Sequence, residues 1–145
     1  MKIKQISLFL ENKPGHLSSV CKTLGDAGIN IFTLALADTQ QFGILRLIVQ
    51  DWERAKQILE TTGCVVNVTE VVATEIEDRP GGLAEILQIV DRAGLNIEYM
   101  YAFTFGKKER AVMVFRFDDP DAAVEVLQKQ GIAVLAGVAL FDMAN

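Results

Sequence analysis

The sequence predicts an α+β chain made of two tandem βαββαβ units. Two observations carry this. A Pro-Gly loop occurs twice, as Glu11-Asn12-Lys13-Pro14-Gly15-His16-Leu17 and as Glu77-Asp78-Arg79-Pro80-Gly81-Gly82-Leu83. Each copy is followed by a second signature, Ala27-Gly28-Ile29-Asn30-Ile31 and Ala93-Gly94-Leu95-Asn96-Ile97. Pro14 and Pro80 are 66 positions apart, and so are Asn30 and Asn96. One Pro-Gly is only a turn, but two motifs at one offset mark an internal repeat.

In the first copy, residues 3–10 alternate apolar Ile3, Ile6, Leu8 and Leu10 with Gln5 and Ser7, the pattern of a strand. The turn at Asn12–Gly15 ends it, and Pro14, with its fixed φ and missing N–H, suits the first turn of a helix. Leu17, Val20, Cys21 and Leu24 then fall on one helical face, and Gly28 supplies the stop. Ile31–Ala37 and Gly43–Gln50 read as strands around a turn at Asp38–Phe42. Trp52–Thr62 reads as a helix with Ala55, Ile58, Leu59 and Thr62 on its inner face, closed by Gly63. Cys64–Val68 begins a fourth strand.

The second copy repeats the order. Thr69–Ile76 is a strand, Gly81–Ala93 a helix, and Ile97–Phe105 and Arg110–Phe117 are strands around Gly106-Lys107-Lys108-Glu109. Beyond that turn the offset becomes 68, as in Ala55/Ala123, Leu59/Leu127 and Gly63/Gly131, so the second hairpin is two residues longer. The last strand is expected at about Ala133–Phe141. Asp118, Asp119 and Asp121 precede a helix and suit capping rather than a metal. Between the copies, Cys64–Glu77 holds no Gly, Pro or Ser-rich linker, so one long bent strand or a tight junction is expected, and a rigid pair either way. The domains are placed at 1–68 and 69–145. The βαββαβ order is the ferredoxin-like arrangement, with both helices on one face of a four-stranded antiparallel sheet.

Composition limits the partners. The chain has 145 residues, 50% hydrophobic and 23% charged, and a net charge of −5 with no basic run. This argues against nucleic acid or an anionic membrane as partner. No apolar run reaches the roughly 20 residues of a membrane helix, and the N-terminus lacks a signal-peptide pattern. Cys21 and Cys64 form no CxxC and match no metal spacing, so free thiols and a cytoplasmic location are expected. His16, the single histidine, has no nucleophile or co-ligand near it in sequence; it either lines a pocket or is solvated. Cys21 is expected in the core and Trp52 as a packing residue. Tyr99, Tyr101 and Phe103 share a strand face where the first copy has Thr33, Ala35 and Ala37, the largest asymmetry between the copies.

Each copy resembles an ACT domain, the small amino-acid-sensing module of metabolic regulation. The residues that carry the resemblance are Asn12-Lys13-Pro14-Gly15 with Ala27–Ile31, and Asp78-Arg79-Pro80-Gly81 with Ala93–Ile97. It covers the chain from Ile3 to Phe141 and implies two ACT-like domains packed as one rigid pair. It also implies a sensor that binds a free amino acid and regulates amino-acid metabolism, with no enzyme activity and no cofactor.

In the similar serine-binding domain of phosphoglycerate dehydrogenase, the ligand touches the first loop and the Asn at the start of the second strand. Those roles fall here on Asn12 and Asn30, while Leu10 stands where that domain has a His. By resemblance the ligand contacts are Asn12, Pro14, Gly15, His16, Leu17, Asn30 and Ile31, and Asp78, Gly81, Gly82, Leu83, Asn96 and Ile97. Such ligands sit between the first loop of one unit and the second strand of a neighbour. The implied partners are an amino acid, a second copy in a homodimer, and a metabolic enzyme. Asp78, standing where the first copy has Asn12, repels a ligand carboxylate, so the first copy is expected to hold the tighter site. The alternative readings are a ligand-free ferredoxin-like interaction module or a small enzyme; no base, nucleophile and orienting group converge in the motifs to favour the latter.

Overall fold

The structure is a computed structural model and describes residues 1–38, 41–104 and 109–143. Residues 106–108 of the expected Gly106–Glu109 turn, and 39–40 of the Asp38–Phe42 turn, lie outside the described residues. The elements are β1 (Ile3–Glu11), α1 (His16–Asp26), β2 (Ile31–Asp38), β3 (Phe42–Val49), α2 (Trp52–Thr61) and β4 (Val66–Glu77). They continue with α3 (Gly82–Arg92), β5 (Ile97–Phe103), β6 (Arg110–Phe117), α4 (Pro120–Lys129), β7 (Val134–Leu135) and α5 (Gly137–Asp142). The chain divides into a first unit, Lys4–Thr69, and a second unit, Glu70–Asn145 joined by Met1–Ile3.

In the first unit the strand order is β2-β3-β1-β4. β3 runs antiparallel to both neighbours, with Glu11 opposite Phe42 and Ile31 opposite Val49. Strand alternation turns Ile6, Leu8 and Leu10 of β1, and Leu45, Leu47 and Val49 of β3, to one face. There they form one core with Val20 and Leu24 of α1 and Ala55 and Leu59 of α2, and Trp52 packs against it. The expected stripe on α1 is narrower than its apolar spacing suggests. Val20 and Leu24 are buried, Cys21 is half-buried, and Leu17 is exposed.

The second unit repeats the layout as β7-β4-β6-β5. Its core joins Val72 and Ile76 of β4, Met113, Phe115 and Phe117 of β6, Ile86 and Val90 of α3, and Ala123 and Leu127 of α4. The Phe115 and Phe117 rings lie 5.4 Å apart. Tyr99, Tyr101 and Phe103 are half-buried on β5.

Helix ends follow one rule. Gly28 has φ 72°, its N–H donates to Gly25 O, and the Ile29 N–H donates to Leu24 O. Gly94 has φ 70° with the same pair of bonds to Asp91 and Val90. Gly63 and Gly131 close α2 and α4 in the same way. This left-handed cap satisfies carbonyls that the helix leaves open. Asp51 and Asp119 cap the starts of α2 and α4 by accepting from the N–H of Arg54 and Ala122, as expected for Asp119.

Two local expectations are corrected. The helices after the Pro-Gly loops begin at His16 and Gly82, later than the first turn expected to hold Pro14 and the start expected at Gly81, because Gly15 (φ 93°) and Gly81 (φ 86°) take a left-handed turn that must be completed first. The expected final strand at Ala133–Phe141 is only Val134–Leu135, beside Thr74 and Ala73; Gly137 then opens α5, which buries Leu140. Finally, Val66–Glu77 is one continuous twelve-residue strand, the first of the two junctions expected.

Candidate functional site

The two Pro-Gly loops have one backbone design. β1 ends at Glu11, the Asn12 N–H donates to Gln41 O at 3.0 Å, and the chain turns through Gly15 into α1. In the second unit the Asp78 N–H donates to Glu109 O, and the chain turns through Gly81 into α3. The left-handed φ at Gly15 and Gly81 is what requires glycine. Each loop therefore presents a helix start, where N–H groups lack helical partners and favour negative charge.

One step later the loops diverge. A Cβ built on Gly82 would lie 2.3 Å from Glu77 O, so only glycine fits there. The first unit carries His16 at that place, half-buried. The second loop is thus packed tighter on its strand end than the first.

The strand-entry signatures lie elsewhere. Asn30 and Asn96 are exposed, and Ile31 and Ile97 pack on their cores. The Asn96 N–H donates to the Asp118 carboxylate at 3.1 Å, and Asn96 O accepts from the Asp118 N–H. Ile31 pairs with the end of β3, whereas Glu11 pairs with its start. Eight residues of strand separate them, roughly 23 Å at 3.3 Å per residue. Within one unit the structure does not bring Asn12 to Asn30, nor Asp78 to Asn96. Asn12, Pro14, Asp78 and Gly81 are exposed loop residues; Leu17 is exposed on α1, and Leu83 packs on the second core.

What the structure does bring together is a cleft in each unit, between the strand end, the first helix and the Gly-capped exit of the second helix. In the first unit it encloses about 550 Å³ and is lined by Phe9, Leu10, Glu11, Gly15, His16, Ser19, Val20, Thr23 and Thr62–Val65. In the second it encloses about 260 Å³, lined by Glu75–Glu77, Arg79, Gly82, Glu85, Ile86, Arg110 and Gly131–Ala133. Nine positions match by the repeat offset, from Phe9/Glu75 to Val65/Ala133. Of the residues expected from sequence, only Gly15, His16 and Gly82 line these clefts. The rest of the lining was missed, although Gly63/Gly131 at the shifted offset already pointed to the helix exits.

The second cleft is filled with charge. Arg79 Nη2 meets both oxygens of Glu85 at 2.8 and 2.9 Å, Arg79 Nε binds Glu77, and Arg79 Nη1 donates to Pro80 O. Arg110 pairs with Glu75 at 2.9 Å. The hydrogen bond from Arg79 holds the Glu77 carboxyl below its ordinary range, and Glu85, then Glu77, raise Arg79. In the first unit Lys13 pairs with Glu11 at 2.8 Å and lowers that carboxyl. The other equivalents, Phe9, Ser19 and Phe42, carry no charge.

Among the described residues no group of His, Cys, Asp and Glu could hold a metal ion, and no helix is long and apolar enough to cross a membrane.

The chain as a whole is similar to known proteins. A family model described as an ACT domain pair matches residues 1–144. The acetolactate synthase small subunit of Buchnera aphidicola subsp. Baizongia pistaciae (strain Bp) is 31% identical over 91 residues. That alignment covers 61% of this chain and 57% of the relative, so the chain matches little more than half of that protein's length. The crystal structure of protein BT0572 from Bacteroides thetaiotaomicron superposes with a TM-score of 0.91 at 38% identity, covering 97% of this chain and 96% of that one. The ligand-free regulatory subunit of aspartate kinase from Thermus thermophilus shares the fold, with a TM-score of 0.64 at 19% identity over 87% of this chain and 91% of that one.

Proposed function

The chain belongs to the ACT domain pair family, and on that premise we propose that it is a regulatory protein that binds a free amino acid and has no catalysis of its own. The observation that carries the reading is the doubled loop. A left-handed glycine (φ 93° and 86°) opens a helix start to solvent in each unit, a backbone suited to a carboxylate. The exposed Asn30 and Asn96 supply amide groups able to donate to a carboxylate and accept from an ammonium.

An amino acid cannot span the roughly 23 Å between loop and strand entry of one unit. A ligand that touches both Asn12 and Asn30 therefore takes them from two copies, and a second chain in a homodimer supplies the other copy. The likeness to an acetolactate synthase small subunit and to an aspartate kinase regulatory subunit supports a role beside a catalytic partner in amino-acid metabolism.

A thermal-shift screen of the common amino acids tests the reading, since binding to the folded state alone raises the melting temperature. At least one should bind with roughly micromolar affinity, about 8 kcal/mol. No response to any of them at millimolar concentration, repeated by calorimetry, rejects it.

A further inference from the structure

The two clefts are the same feature with opposite linings. We propose that the cleft of the first unit is a pocket for an amino acid with an apolar side chain, and that its counterpart in the second unit is not a site. The proposal rests on the amino-acid reading above and names the class of ligand and its place.

Size is the first argument. Small-ligand sites enclose about 300–1,000 Å³. The first cleft, at 550 Å³, lies within that range, and the second, at 260 Å³, falls below it. The second is reduced by its own residues: Gly82 is pressed on Glu77 O, and Arg79 is held across the loop by Glu77 and Glu85.

Chemistry is the second argument. Where the second unit has Glu75 and Glu85, the first has Phe9 and Ser19. Phe9 is 60% and Val65 73% exposed, and both line the cleft together with the buried Leu10 and Val20. An apolar ligand side chain removes that surface from water, whereas a charged one loses its own hydration against it. The neutral polar groups fit the rest of an amino acid. Thr23 Oγ1 donates to Ser19 O at 2.9 Å and Thr62 Oγ1 to Leu59 O at 2.7 Å. With those protons used, both hydroxyls remain acceptors, which suits an ammonium.

Calorimetry on the full chain with L-leucine, L-phenylalanine, L-serine and L-aspartate tests this. The expected result is one bound molecule per chain, with leucine or phenylalanine at least tenfold tighter than serine or aspartate. Phe9→Glu and Ser19→Glu, which install the second unit's residues, should each weaken binding at least tenfold. Both positions are exposed, and an unchanged melting temperature without ligand verifies the fold; Ser19→Glu, on a helix surface, remains informative if Phe9→Glu misfolds. A preference for serine or aspartate, or wild-type affinity in both variants, overturns the pocket and leaves the sensor reading standing. Binding of none of the four at millimolar concentration overturns the pocket; the wider amino-acid screen then decides separately whether the sensor reading falls with it.

Discussion

At the scale of the residue, five glycines of the repeated motifs are required for two different reasons, and substitution separates them. Gly28 and Gly94 sit in open space with φ 72° and 70°, so an added Cβ meets only the left-handed strain of about 1–2 kcal/mol. Gly82 has an ordinary φ but no room, its Cβ falling 2.3 Å from Glu77 O. Gly82→Ala should cost about 1–3 kcal/mol as overpacking, and Gly15→Ala about 1–2 kcal/mol as strain, both read from urea unfolding midpoints. Equal stability of Gly82→Ala and wild type would contradict the close approach. Charge at the same loop gives a pH effect. Hydrogen bonding from Arg79 lowers the Glu77 pKa from 4.5, so this stabilisation is complete above the unfolded value and is lost as pH falls through the folded one. Below about pH 4.5 the wild type should lose slightly more melting temperature than Glu77→Gln; because both partners are exposed, the difference is small.

At the scale of the element, the repeat made most of the fold legible. Period-two and period-3.6 patterns marked the strands and the four long helices, and Gly28 and Gly94 marked two ends that the structure closes with matching hydrogen bonds. Removing the start caps should be felt equally in both units. Asp51→Ala and Asp119→Ala should each cost about 1 kcal/mol, since each side chain satisfies one open N–H. The C-terminal segment was misread for a physical reason. Apolar Ala133–Phe141 fits a buried strand and a buried helix alike, and only tertiary pairing limits it to Val134–Leu135 before Leu140 is buried from α5. The clefts were not legible because their walls come from segments far apart in sequence, Phe9 with Val65 and Glu75 with Ala133. The motifs show only the loop and strand-entry residues, which strand direction sends to opposite ends of β3 and β6.

At the scale of the whole molecule, the division proposed at 68/69 cuts inside β4, and this makes independent folding of the halves a sharp test. The second unit includes the first three residues of the chain. Lys2 pairs with Glu70 at 3.2 Å and Asp121 at 2.8 Å, and Ile3 is 3% exposed. A fragment 69–145 loses all of this. A fragment 1–68 keeps only Val66–Val68 of a twelve-residue strand. It is also short for a stable single core, since a domain of that size buries only about 60% of its unfolded surface. Residues 1–68 expressed alone should therefore aggregate or unfold without cooperativity, and 69–145 should melt below the intact chain. Lys2→Ala in the intact chain isolates the ion-pair part. Both pairs are open to solvent on at least one side, so the loss should be small, and the greater part of any deficit in 69–145 must come from burying Ile3 and completing the sheet. A dispersed, cooperatively folding monomer from 1–68 would show that the first unit needs nothing beyond residue 68.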